Sequence, residues 1–339
     1  MIEKEGSVRI DLVGGTLDIF PINLILRNAI TLNFATDIKS KVQIEEAEID
    51  GVEIISNDLE IQRIFEFSEF NNDNYYSDHF GPLLFLARII GHFKFNQGLK
   101  ISLSSGSPPG AGLGGSSTLG LTLFRALCEF THSFCDDEAS IEIVKDIEAS
   151  ILDSGMTGYQ DYYPAAKGGI LALKPGFGKV HVEQLYSPEL KKFIEEHITL
   201  IYSGKTRHSG INNWEVYKEF FDKKVSIREG LNTIAKISHE AYEMIKSRNF
   251  SKLNYLISLE GEERKKLFPG IVTDEIAEFF HELKAKIPHL GMKVCGAGGG
   301  GCFILLHQPS DRDYLEALMK DINRGFRIMD FKVERNIFD

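Results

Sequence analysis

Five of the six residues from Gly296 to Gly301 are glycine, in the run "KVCGAGGGGCFILL", and an apolar strand-like segment stands on each side. Inside a sheet each glycine costs roughly 0.5–1 kcal/mol against alanine, whereas a tight hairpin needs only one or two. A run this dense is understandable where a ligand or another backbone must come very close. The segment predicts strand, loop and strand, with the loop serving function rather than chain reversal alone.

A second glycine-rich stretch, "SPPGAGLGGSSTLGLTLF", runs from Ser107 to Phe124. Beyond it Leu119, Leu123, Ala126, Leu127 and Phe130 recur at spacings of three and four, which predicts a helix from Ser117. Gly110, Gly112, Gly114 and Gly115 let the backbone approach a ligand. The helix start adds unsatisfied N–H groups and the positive end of its dipole. Ser116, Ser117 and Thr118 add hydroxyls suited to phosphate oxygens or to Mg²⁺. No Gly-Lys-Ser/Thr triplet closes the loop, so it is not a Walker A motif, and serines stand where a dinucleotide fingerprint has its third glycine. Taken alone, the stretch suits a structural turn as well as a phosphate cradle.

Outside these loops regular alternation of strand and helix is absent. "SVRIDLV", "AITLNFATD" and "SKVQIEEAEIDGVEIIS" predict strands, with Asp50-Gly51 as a hairpin turn. A helix is expected at about 82–94, then a strand "LKISLSS", a helix "EASIEIVKDIEASIL" after an acidic start, and strands "GGILALKPG" and "KVHVEQLY". From about residue 188 the texture changes to helix, strand, a long helical region to about 267, a helix capped by Thr273, and a closing helix and strand. A strand-rich first half and a helix-rich second half predict an α+β protein of two lobes, 1–187 and 188–339.

Composition limits the partners. A net charge of -11 argues against nucleic acid. The N-terminus lacks a basic start with an apolar core, and the longest apolar region, "GPLLFLARIIGHF", carries Arg88 and is too short to span a membrane. A cytoplasmic chain without a membrane partner is expected, as a monomer or a homodimer. The four cysteines form no C-x-x-C pair, which suits free thiols in a reducing compartment better than zinc or disulfides.

Two further segments complete the set. "RIDLVGGTLDIFP" places Arg9 on a strand and Asp18 after the Gly14-Gly15 turn; "TGYQDYYPAAKGGI" places Asp161 among glycines and aromatics. Singly, Arg9 and Asp18 read as surface charges and Asp161 as a turn former. In order and spacing the four segments resemble the signature set of the GHMP kinases, over about residues 9 to 305. That resemblance implies a two-lobed GHMP kinase fold. Its N-terminal ATP-binding lobe, 1–187, would be like ribosomal protein S5 domain 2, and its C-terminal lobe, 188–339, ferredoxin-like. It also implies ATP-dependent phosphoryl transfer to a small-molecule hydroxyl or carboxyl group.

By the same resemblance Pro109, Gly110, Ala111, Gly112, Leu113, Gly114, Gly115, Ser116 and Ser117 would wrap the ATP phosphates, with Gly298 and Gly299 beside them. Ser116, Ser117 and Glu148 would hold Mg²⁺, and Asp161 would be the catalytic aspartate with Arg9 next to it. Asp18, Gly15, Tyr162 and Arg207 would face the acceptor. These roles suit a reaction in which positioning and charge stabilisation dominate. The Gly-Gly turn, where galactokinases have Gly-Glu-His-Thr-Asp, is similar to the heptose 7-phosphate kinase and fucokinase branches, and "GYQDYYPAAKGG" and "YSGKTRHSG" are similar to the heptose-kinase forms. Leu17, Tyr162 and Pro164 depart from the heptose-kinase pattern close to the acceptor. Lys205, Arg207 and His208 could hold a substrate phosphate or form a solvated loop. A mevalonate-type kinase and a catalytically silent regulator are the competing readings. "SNDLE" and the region 56–85 are the candidate source of an adenine pocket.

Overall fold

The computed structural model describes residues 1–134, 136–152, 157–205, 211–322 and 324–335. Strands β1 (Ile2–Val13), β2 (Thr31–Ala47), β3 (Gly51–Ser56), β4 (Ile61–Glu66), β5 (Gly98–Ser104), β6 (Ile170–Gly176) and β7 (Lys179–Gln184) build one sheet. Its order is β4-β3-β5-β2-β6-β7, with β1 also paired to β2. A second, antiparallel sheet of order β11-β8-β10-β9 combines β8 (Ile198–Tyr202), β9 (Gly291–Val294), β10 (Cys302–Leu306) and β11 (Arg327–Met329). In the first half the helices are α1 (Ile22–Ile25), α2 (Asn72–Tyr75), α3 (Leu84–Ile90), α4 (Gly115–Phe130), α5 (Asp137–Ala149) and α6 (Tyr162–Lys167). In the second they are α7 (Pro188–His197), α8 (Ile211–Phe221), α9 (Val225–Lys246), α10 (Leu253–Leu267), α11 (Asp274–Lys286) and α12 (Arg312–Ile322).

The glycine run 296–301 lies between β9 and β10, which are antiparallel neighbours. Two strand expectations change. "AITLNFATD" and "SKVQIEE" fuse into the single strand β2, because β1 pairs with both parts and takes up the break as a register shift between Ser7 and Arg9. Asp50-Gly51 is not a hairpin turn between neighbours: β5 lies between β2 and β3, antiparallel to the first and parallel to the second. Helix α4 starts at Gly115, two residues before the predicted Ser117. Asp136 caps α5 by accepting from Ala139 N at 2.8 Å, and Thr273 caps α11 from Ile276 N at 3.4 Å. The long helical region divides into α8, α9 and α10, with Lys223 and Arg248 in the left-handed conformation at the two breaks.

One hydrophobic cluster fills the space between the first sheet and α3 to α6. Another joins Ile10, Leu12 and Phe34 of the first sheet to Leu200 and Ile304 of the second. A division at 187/188 would fall between β7 and α7, yet the core across it is continuous, and Val333 bridges back to Thr36 of β2. No helix among the described residues is long and apolar enough to cross a membrane. The third cluster packs α8, α9, α11 and α12 on the second sheet. At its centre Phe303 is fully buried and meets Phe279 and Phe326 edge-on at 6.2 and 5.7 Å. Phe303→Ala is expected to lower stability by about 3–5 kcal/mol, read as a shift in the chemical-denaturation midpoint. A loss under about 1 kcal/mol would mean that the cavity collapses.

Candidate active site

A cavity of about 400 Å³ opens between the two glycine loops and α5. Its central wall is the first loop, Pro109 to Gly112 and Gly114 to Ser117. That loop is held by its carbonyl edge: Ala111 O accepts from Cys302 N at 2.6 Å, Gly112 O from Arg9 Nη1 at 2.6 Å, and Leu113 O from Arg9 N at 3.1 Å. Gly114 then turns into α4 with φ +73° and no side-chain cap, so the first N–H groups of a 16-residue helix are left for a ligand. A Cβ on Gly114 would stand 2.9 Å from Asp161 Cγ; glycine lets the loop lie directly on that carboxylate.

Around the helix start four side chains converge from distant parts of the chain. Arg9 Nη2 lies 2.6 Å from Asp161 Oδ1. Ser117 Oγ donates to Glu148 Oε2 at 2.7 Å and stands 3.3 Å from Asp161 Oδ2. Tyr162 OH also donates to Glu148 Oε2. Burial opposes the Arg9 charge, but Asp11 and then Asp161 outweigh it and hold the guanidinium above its usual range. Burial pushes Glu148 above the carboxylate range against the donors Tyr162 and Ser117.

At the other end, Asp18 Oδ2 accepts from Gln160 N at 2.9 Å, and Asn33 Nδ2 donates to Gln160 O at 3.0 Å. Burial pushes Asp18 up to about 7, with the Gln160 N–H working against it. Ser56, Asp58, Leu59, Pro82, Phe85 and Leu86 form a further, largely apolar wall, so the region 56–85 does reach the cavity.

Residues 83–169, which carry this loop, Glu148 and Asp161, match the family described as GHMP kinases N terminal domain. That segment is a GHMP kinases N terminal domain. The chain is 25% identical to a mevalonate kinase of Pyrococcus furiosus over 84% of each chain. It is also 23% identical to a bifunctional fucokinase/GDP-fucose pyrophosphorylase of Arabidopsis thaliana, over 91% of this chain and 30% of that one. A crystal structure of a D-glycero-D-manno-heptose 1-phosphate kinase from Bacteroides thetaiotaomicron superposes with a TM-score of 0.75 at 18% identity, covering 99% of this chain and 97% of that one. The chain therefore has the GHMP kinase fold and is an ATP-dependent phosphotransferase with an alcohol group as acceptor.

Several expected site residues sit elsewhere than the motifs implied. Tyr162 does not face the acceptor: its ring is 1% exposed and its hydroxyl is taken by Glu148, so it buttresses that carboxylate. Gly15 is off the cavity wall, packed over Asp11 and Gln160. Leu113 is fully buried and reaches the site only through its carbonyl. Gly298 and Gly299 also leave the wall to Gly296 and Ala297; Gly299 N donates to Ile271 O at 2.9 Å. Gly301 meets the first loop, where a Cβ would stand 2.6 Å from Gly110 O. Arg207 and His208 lie outside the described residues. Sequence reasoning missed Asp11, Asn33 and Gln160, for which a polar residue inside an apolar strand pattern, or beside the aspartate, is a weak signal.

Proposed function

We propose that this kinase passes the γ-phosphoryl group of ATP to a hydroxyl of a sugar or sugar phosphate, heptose 7-phosphate or a related sugar at the anomeric position being the acceptor its motifs resemble. The observation that supports a sugar is the buried pair Asp18 Oδ1 and Gln160 Oε1, neither of which has a hydrogen-bond donor. Buried acceptors without donors are costly, and a polyol supplies donors. Among the described residues on the cavity wall Arg9 is the one cation, and Asp11, Asp161 and Gly112 O already surround it. This wall favours hydroxyl groups over the carboxylate of mevalonate. A phosphate on the acceptor would draw its counter-charge from Lys205, Arg207 or His208.

The residues present fit ATP and Mg²⁺. Amides at the start of α4 suit phosphate oxygens, and Leu59, Pro82, Phe85 and Leu86 suit a flat base. Ser117 and Glu148 offer a hydroxyl and a carboxylate for a hard cation that takes its other ligands from phosphates and water. The metal, when bound, would offset charge on the transferring phosphoryl group. Asp161 would orient the acceptor hydroxyl and accept its proton, while Arg9 beside it would meet developing charge.

A coupled ADP-release screen with heptose 7-phosphate, fucose, galactose and mevalonate tests the reading. Turnover with a sugar at least about tenfold above that with mevalonate is expected. Turnover with mevalonate alone would replace it by the mevalonate-type reading, which the similarity to the Pyrococcus enzyme favours. No turnover with any of them by the folded protein would favour a silent regulator.

A further inference from the structure

Arg9 is held by more than Asp161. On β1, Arg9 and Asp11 are two residues apart and share one face of the strand. The register of β1 against β2 shifts just before Arg9 and just after Asp11. Such irregularities re-aim side chains, and here both are 1% exposed. Asp11 Oδ1 lies 3.2 Å from Arg9 Nε, Gly112 O accepts from Nη1, and Asp161 Oδ1 faces Nη2. Each nitrogen of the guanidinium therefore has its own neighbour, a hydrogen bond at Nη1 and a charge contact at Nε and at Nη2.

The far side of Asp11 is also built. Its Oδ2 lies 3.0 Å from where a Cβ on Gly15 would stand, so the Gly-Gly turn leaves the carboxylate its room. Lys293 of β9 and Arg264 of α10 act on its charge from the second half of the chain. Arg264 donates to Gly296 O. Lys293 faces Glu260 at 3.4 Å, and the other oxygen of Glu260 accepts from Gly14 N at 3.1 Å. Lys293, Glu260 and Arg264 are buried, at 1, 0 and 2% exposure. A chain of buried charges thus runs from the second glycine loop to Arg9.

We propose that Asp11 is a positioning residue for phosphoryl transfer: through Nε of Arg9 it sets the rotation of the guanidinium so that Nη2 meets Asp161. This rests on the reading of Arg9 and Asp161 given above. A guanidinium that loses its charge contact at Nε can turn about the bond at Nη1, and a shift of about 1 Å costs on the order of 100-fold in rate.

Asp11→Asn keeps the shape and removes the charge. Its kcat is expected to fall about 30-fold while the KM for ATP stays within about twofold. In an Arg9→Met background, which has no Nε to hold, the same change should leave the residual kcat unaltered. Equal losses in both backgrounds would overturn the proposal alone, since Asp11 would then act independently of Arg9. Arg9→Met with wild-type turnover would overturn the underlying reading and this one with it. Should Asp11→Asn fail to fold, the wild-type protein still answers by NMR. The Arg9 Nε–Hε signal, assigned by its loss in Arg9→Met, should exchange slowly with water; rapid exchange would show no such hold and overturn the proposal.

Discussion

Asp161→Asn is expected to lower kcat by about 10²–10⁴-fold and to leave the affinity for a non-hydrolysable ATP analogue within about threefold. The substitution changes charge and proton affinity with almost no change of shape. The carboxylate is 24% exposed at the cavity wall, 2.6 Å from Arg9 Nη2 and 3.3 Å from Ser117 Oγ, so it stands where an acceptor hydroxyl and the phosphate loop would meet. An amide cannot take the hydroxyl proton, and Arg9 would lose its anionic neighbour at the same point. Steady-state ADP release with an equilibrium nucleotide titration separates the two effects. Near-wild-type turnover would remove Asp161 from the chemistry.

Gly114→Ala should cost activity out of proportion to stability. Gly114 has φ +73°, and its new Cβ would stand 2.9 Å from Asp161 Cγ. Gly178 supplies the control: its φ is +70° and a Cβ there meets nothing within 4 Å. Both variants should lose roughly 1–2 kcal/mol from the left-handed conformation itself. Gly114→Ala must in addition move either the loop or the aspartate, and a shift of about 1 Å lowers kcat on the order of 100-fold. Gly178→Ala should keep its turnover. Thermal unfolding and kcat measured on both variants decide the matter. Equal activities would mean that the contact of loop on carboxylate does not serve catalysis.

Much of this site was readable from residue order because its parts are local. A glycine loop followed by an apolar 3.6-residue period is a property of neighbouring residues, and it appears as the turn into α4. Arg9, Ser117, Glu148 and Asp161 were each marked by their own short segments and do come together. Tyr162 misled because its neighbour Asp161 faces the cavity while its own ring turns into the core beside Glu148. Gly298 and Gly299 lie off the cavity wall, which the second loop reaches through Gly296 and Ala297, while its close approaches include Ile271 and the first loop.

By itself, then, the amino-acid sequence determined most of the elements, since periodicity, caps and glycine density act over a few residues, and the order of the four segments carried the resemblance that implies a kinase. Only the tertiary structure decided which strands are neighbours, with β5 inserted between β2 and β3. It alone decided that Gly14 is bonded to Glu260, 246 residues away, and that Lys293 and Arg264 act on the charge of Asp11. Contacts of that separation exist only once both sheets are folded and share a core. A lone Asp in a strand or a Lys in a sheet carries no local mark of the partner that makes its burial tolerable.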